Sequence, residues 1–265
     1  RGSQKRVMTP WRRPVLAILL AGAVATGTGF AALQILIRDL PRLDSLKDYR
    51  PKLSSKVFDQ QGRLVARFST ERRTEIATQD LPASVKNAFL AAEDEAFYRH
   101  EGIDYWAVLH AVVNEAKYRV VGGQRLGGST ITQQTAKTFL LSPERTYMRK
   151  FKEMLLAKRI EERLTKDEIL HLYLNQIYFG NGAYGIEEAA QTYFGIPATK
   201  LNLAQAAALA SIPKSPNNIN PVANPARLKE RRSYVLAQME KNGLISVDER
   251  KAADAEPAES TVHVP

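Results

Sequence analysis

The sequence predicts a mainly α-helical fold with a small β element and an N-terminal transmembrane helix. Three observations carry this. An uncharged run of 23 residues, Val15–Ile37, lies near the N-terminus. From Pro82 onward apolar residues recur at helical spacing. No alternation of strands and helices appears that would build a parallel sheet. With 265 residues and 44% hydrophobic content, the chain holds enough apolar material for one sizeable core plus accessories.

Residues 1–14 form a basic tail. Residues 15–37 would reach roughly 35 Å as a helix, enough to cross a hydrocarbon core of about 30 Å. Arg1, Lys5, Arg6, Arg12 and Arg13 precede this run without an acid, a bias that keeps the N-terminus in the cytoplasm and the rest of the chain outside. Ala23-Val-Ala25 resembles a signal cleavage site. The apolar run continues for twelve residues past Ala25, however, so a retained anchor is expected.

Residues 38–69 are a polar, proline-punctuated connector ending in a small β element. There Lys56–Ser69 reads as two short strands around Gln61-Gly62. Residues 70–255 form the main helical domain. Ala83–Tyr98 places Val85, Ala88, Phe89, Ala92 and Phe97 at helical spacing. Ser142-Pro143 offers a cap and a first-turn proline for a helix running to about Arg163. Thr165-Lys-Asp-Glu168 is a capping box that opens a helix bearing Ile169, Leu170, Leu172, Tyr173 and Ile177. Asn202 caps Leu203–Ser211, which must stop near Pro213. Ala223–Ala253 gives a helical pair broken at Gly243, and residues 256–265 are a tail.

Half of the formal charge of +10 lies before the apolar run. The remainder makes a mildly basic external domain, which suits an anionic surface or a diphosphate and equally serves solubility alone. Cysteine is absent, which excludes disulfides, thiolate chemistry and Cys-rich metal sites.

Three polar strings stand out. In EDEAFYRHEG (Glu93–Gly102), Glu93 sits near the end of an apolar helix, where burial would raise its pKa and suit it to general acid or base work. An ordinary helix-end glutamate beside solvated Asp94 and Glu95 is the equal alternative. GGSTITQQ (Gly127–Gln134) joins a glycine pair to Ser129, Thr130, Gln133 and Gln134 and runs on to Lys137. It can surround a sugar or pyrophosphate, or be a glycine loop with a helix cap. Arg145, Arg149, Lys150 and Glu153 follow on one helix, where Arg149 and Glu153 are also spaced as a plain i,i+4 surface pair.

Together the strings resemble the peptidoglycan glycosyltransferase (glycosyltransferase family 51) domain of a bifunctional class A penicillin-binding protein. The pattern ED-x-x-F-x-x-H-x-G is met by Glu93, Asp94, Phe97, His100 and Gly102. GGST-x-T-QQ is met by Gly127 to Gln134, and RK-x-x-E by Arg149, Lys150 and Glu153. The fourth motif is met by Lys166, Ile169, Leu170, Tyr173, Leu174, Asn175, Tyr178, Phe179 and Gly180. The fifth is met by AALASIPKSPNNINP (Ala207–Pro221). Two positions depart: His171 stands where the family has Glu, and Ser211 where it has Gly. A lone His on a helix reads as structural.

The resemblance implies a lysozyme-like helical glycosyltransferase domain over residues 70–255, with residues 256–265 leading toward a transpeptidase domain. It implies polymerisation of lipid II into β-1,4 glycan at the outer face of the cytoplasmic membrane, with inversion and a polyprenyl diphosphate leaving group. Glu93 is then the base. Lys137, Arg145, Arg149 and Lys150 are the diphosphate cations, and Glu153 orients them or holds an optional divalent cation, Mg or Mn. Asp94, Ser129, Thr130, Gln133, Gln134 and Asn175 contact substrate. The implied partners are lipid II, the growing glycan strand, membrane lipids and cell-wall synthesis proteins, with no nucleic acid. The amphipathic stretch Trp106–Val121 is expected to dip into the headgroup region. A lysozyme-like muramidase or lytic transglycosylase is the main rival, but it has no use for a cation clamp. A catalytically silent cell-wall scaffold would lack the Glu or the cations. Ser211-Ile-Pro-Lys214 and Ser215-Pro-Asn217 mimic transpeptidase motifs, yet no KTG follows and they abut, so no β-lactam binding is expected.

Overall fold

The computed structural model describes residues 12–38, 40, 55–61, 64–68, 72–121, 128–140, 146–258, 260 and 262–263. The chain divides into two compact units, residues 1–42 and 43–265. The first contains one helix, α1 (Arg12–Arg38), of 27 residues. Several of its side chains lie outside the described set. Over the described residues no helix is long and apolar enough to cross a membrane.

The second unit is mainly helical, as expected. It opens with the antiparallel pair β1 (Ser55–Phe58) and β2 (Leu64–Phe68), whose register shifts between Val57 and Phe58. An unanticipated second pair, β3 (Arg72–Arg73) and β4 (Ala183–Tyr184), is parallel. The helices are α2 (Ala83–Glu93), α3 (Tyr105–Val121), α4 (Ile131–Leu140), α5 (Tyr147–Glu161), α6 (Lys166–Gln176), α7 (Ile186–Phe194), α8 (Leu203–Ser211), α9 (Pro225–Lys241) and α10 (Val247–Ala255). The core joins two helical groups: α2 with α8 and α9, and α4 with α5 and α6. Phe89 of α2 ties them together, meeting Tyr173 of α6 edge-on at 6.3 Å and Phe179 at 6.0 Å.

Local signals set most boundaries. Thr165 and Glu168 form the expected capping box on α6, and Asn202 with Gln205 forms one on α8. After Ser211 the chain passes into a 3₁₀ turn, Ile212–Lys214, because Pro213 cannot continue the α-helical ladder. Helix α5 begins at Tyr147, where the Thr146 side chain accepts the Arg149 N–H; Ser142-Pro143, expected to open it, lies outside the described residues. One expectation needs correction. Helix α2 ends at Glu93 rather than Tyr98, because Asp94 leaves helical geometry (φ −163°, ψ 76°) to serve contacts elsewhere.

Glycine is required where two motif segments touch backbone to backbone. Gly180 has φ +86°, and a Cβ there would fall 2.7 Å from the Pro216 carbonyl oxygen. Gly180→Ala should therefore cost about 2–4 kcal/mol, combining left-handed strain with a backbone clash. Gly243 has φ +69° but faces open space, so Gly243→Ala should cost only about 1 kcal/mol. Urea denaturation of the two variants checks the difference, and equal losses would refute the clash.

Candidate active site

Glu93 is the last residue of α2, and the next residue fixes what it meets. Asp94 is buried, and its Oδ2 accepts the Ile131 N–H at 2.9 Å, at the first residue of α4. His100 Nε2 lies 3.0 Å from both Asp94 carboxylate oxygens. This carboxylate pins the end of α2 to the start of α4, where unpaired N–H groups favour an anion. One turn into α4, Gln134 then donates from Nε2 to Glu93 Oε2 at 2.8 Å.

The Glu93 carboxyl is raised above its ordinary pKa, chiefly by burial. Its hydrogen bond from Gln134 and the charges of Arg231 and Lys214 oppose the rise, while Asp94 adds to it. The side chain keeps partial solvent access. A carboxyl whose pKa is raised by burial is a stronger base than an ordinary glutamate and is equipped to take a proton.

The second string builds a ledge above α4. Thr130 and Gln133 cap one another: the Thr130 N–H donates to Gln133 Oε1 (3.2 Å), and the Gln133 N–H donates to Thr130 Oγ1 (3.1 Å). Thr130 Oγ1 also donates to the Gly102 carbonyl at 2.7 Å, joining the first and second motifs. From α5, Lys150 Nζ reaches across to Ser129 Oγ at 2.7 Å and Gln133 Oε1 at 3.4 Å. Beneath it Glu153, 3% exposed, accepts from Lys150 Nζ at 2.5 Å and from Arg149 Nη1 at 3.3 Å. The Arg149–Glu153 pair is therefore no ordinary surface bridge. It orients two cations on one buried acid.

Other expected residues fall elsewhere. Lys137 is exposed in the last turn of α4. Gly127 and Arg145 lie outside the described residues. Asn175 is buried and clamps a neighbouring strand of chain. Its Oδ1 accepts the Ile76 N–H at 2.9 Å, and its Nδ2 donates to the Ile76 and His171 carbonyls at 3.0 Å. His171 itself bridges Thr78 Oγ1 (3.1 Å) and Glu75 Oε1 (3.2 Å), as a structural histidine does. A cavity of about 770 Å³ runs alongside, lined by Lys86, Leu90, Tyr98, His171 and Asn175 among others, and neither Glu93 nor Lys150 borders it.

Two residues given no role from sequence join the site. Lys214, within the fifth motif, and Arg231 of α9 both place positive charge near Glu93. Lys214 is lowered in pKa, first by burial and then by Arg231. The Lys in IPKSP was visible as part of a motif, whereas nothing local marked Arg231.

Glu153 is the residue expected to hold an optional divalent cation. Both Glu153 oxygens are taken by cations. Among the described residues no group of three His, Cys, Asp or Glu is arranged to hold one.

A family model described as Transglycosylase matches residues 61–240. The chain belongs to this transglycosylase family. Penicillin-binding protein 1A of Neisseria flavescens is 45% identical over 234 residues, covering 88% of this chain and 29% of that protein. Penicillin-binding protein 1A of Pseudomonas aeruginosa is 42% identical over 246 residues, covering 93% and 29%. The chain thus spans 29% of the length of these curated relatives. The crystal structure of penicillin-binding protein 1A from Haemophilus influenzae overlays with a TM-score of 0.46 at 24% identity, covering 80% of this chain and 22% of that one. In this transglycosylase the glycosyltransferase resemblance read from the five motifs holds.

Glu153→Gln should leave Arg149 and Lys150 facing each other without their counter-charge. The expected result is a loss of about 1–2 kcal/mol, discounted because Lys150 is substantially exposed. Urea denaturation of the variant checks it, and undiminished stability would show that the buried acid is dispensable to the fold.

Proposed function

We propose that this chain is a peptidoglycan glycosyltransferase of lysozyme-like fold, acting on lipid II at the outer face of the cytoplasmic membrane. The observation that carries the reading is one half-buried carboxyl with a raised pKa, faced by cations, while the neighbouring carboxylate is already committed. Asp94 has its oxygens engaged by Ile131 and His100. It is better suited to hold Glu93 in place than to act as a second catalytic acid or to contact substrate. That counts against a hydrolase with a carboxylate pair.

In this mechanism the 4-hydroxyl of the incoming N-acetylglucosamine gives its proton to Glu93. Its oxygen attacks the anomeric carbon of the N-acetylmuramic acid on the growing chain. The bond to polyprenyl diphosphate breaks on the opposite face, inverting α to β. The departing diphosphate takes the bonding pair and gains one negative charge on the freed oxygen; as a stable anion it needs cations rather than a proton. Arg149 and Lys150, oriented by Glu153, are assigned that work, with Lys137 and Arg145 at the margin. Ser129, Gln133 and Gln134 line the path between base and cations. Asn175 supports the domain from outside that path. No step is routed through a metal.

The anchor is proposed on the uncharged Val15–Ile37 run and its basic flank. A second contact with lipid is proposed along α3. There Tyr105, Trp106, Leu109, Val112 and Val113 are all at least half exposed, at positions that make one apolar stripe. Membrane lipids are its intended occupant, since lipid II is held by a buried tail. Cell-wall synthesis proteins remain candidate partners, and nucleic acid is not among them.

Labelled lipid II in detergent tests the chemistry. The parent should form glycan polymer, and Glu93→Gln should lose about 10²–10⁴-fold in rate. Glu93 must be ionised to act and its pKa is raised, so the parent rate should fall as pH drops through a value above the ordinary glutamate range. Equal polymer from parent and variant would remove Glu93 from its role, and shortening of preformed glycan would favour the hydrolase.

The lipid contact has its own readout. Changing Trp106, Leu109 and Val113 together to Ser should lower activity on liposomes several-fold while leaving activity in detergent nearly unchanged. Equal effects in both media would reject it.

A further inference from the structure

Arg231 lies on α9, 138 residues after Glu93 in the chain, and is fixed by two contacts. Its Nη2 donates to the Ala92 carbonyl at 3.3 Å, one residue before Glu93. Its guanidinium lies over the Tyr234 ring, 4.4 Å from the centroid. Its buried Nε has no hydrogen-bond partner, so the plane is set by stacking and by the Ala92 bond. Ala92 O belongs to the last turn of α2, where unpaired carbonyls concentrate negative potential beside the carboxylate.

We propose that Arg231 is the positioning residue of the base: it ties down the last turn of α2 through the Ala92 carbonyl and sets a fixed cation beside Glu93. This rests on the reading of Glu93 as the base. A helix C-terminus is a poor place for a carboxylate, because the helix dipole and the negative charge repel. The guanidinium answers both faults at once, neutralising the helix end and facing the carboxylate. Other groups act on Glu93 as well: Gln134 from α4, Asp94 from the end of α2, Tyr173 from α6, and Lys214 from the turn after α8. Lys214 also feels Arg231: burial and Arg231 lower its pKa, while Glu93 and Glu230 oppose that. Arg231 and Lys214 thus both place positive charge near Glu93, and Arg231 alone is also bonded to the helix end.

Direct titration of the Glu93 carboxyl by carbon-13 NMR in the whole chain tests this without turnover. Arg231→Gln should move the midpoint upward by roughly 0.5–1 pH unit. Arg231→Lys should recover most of that shift, because charge returns without the planar fork. Tyr234→Leu, which loosens the stack but keeps the cation, should give a smaller rise and carries the test if Arg231→Gln does not fold. In the polymerisation assay the acid limb should move with the midpoint, lowering the rate up to about 10-fold below it. An unmoved midpoint in both the Arg231→Gln and Tyr234→Leu proteins, with only thermal stability reduced, would make Arg231 a structural residue and overturn the proposal. Failure of the parent to make polymer would instead reject the catalytic reading, and the midpoint would still judge Arg231.

Discussion

The site depends on the bond from the Ile131 N–H to the Asp94 carboxylate. A helix start carries several unpaired N–H groups, and a buried carboxylate is the strongest acceptor a side chain can bring to them. His100 holds the same carboxylate from the other side. Two helices far apart in the first two motifs are thereby locked end to start. Only then can Gln134, one turn into α4, reach Glu93. Glu93 is placed by its neighbour, and the neighbour is placed by a helix terminus.

The cationic side of the site is organised by an acid. Two cations this close in space repel each other. Glu153 relieves that repulsion by accepting from both Arg149 and Lys150. Its burial makes the arrangement sensitive to substitution, since a desolvated carboxylate depends on those two donors. Lys150 is then led onto Ser129 and Gln133, so the third motif is held against the second by the charge pair itself.

Much of this was legible locally and much was not. The capping box at Thr165 and the cap at Asn202 are complete within four residues, and both occur as read, Asn202 adding a reciprocal bond with Gln205. The order of polar strings was enough to name the family. The end of α2 was missed because Phe97 continued the apolar spacing. Its burial comes from a turn after the helix instead, with Asp94 diverted to Ile131. Asn175 is expected to contact substrate because its motif travels with the others, and its amide pairs with backbone at Ile76, 99 residues away. Lys214 and Arg231 act on Glu93 only because α8 and α9 fold back on α2. No window of sequence holds both partners, and periodicity carries no information about which distant carbonyl an arginine will find.

Consecutive placement of Glu93 and Asp94 makes their order chemically directional. The longer side chain must span to an amide on the next turn of another helix. The shorter one must close on a backbone N–H at 2.9 Å. Reversing the dipeptide would conserve composition and charge while leaving one group a methylene short and the other a methylene long. A one-residue deletion anywhere in the last turn of α2 would do the same by exchanging their posts. Length in this stretch is thus constrained as tightly as residue identity, and the chain can tolerate neither a gain nor a loss between Phe89 and His100.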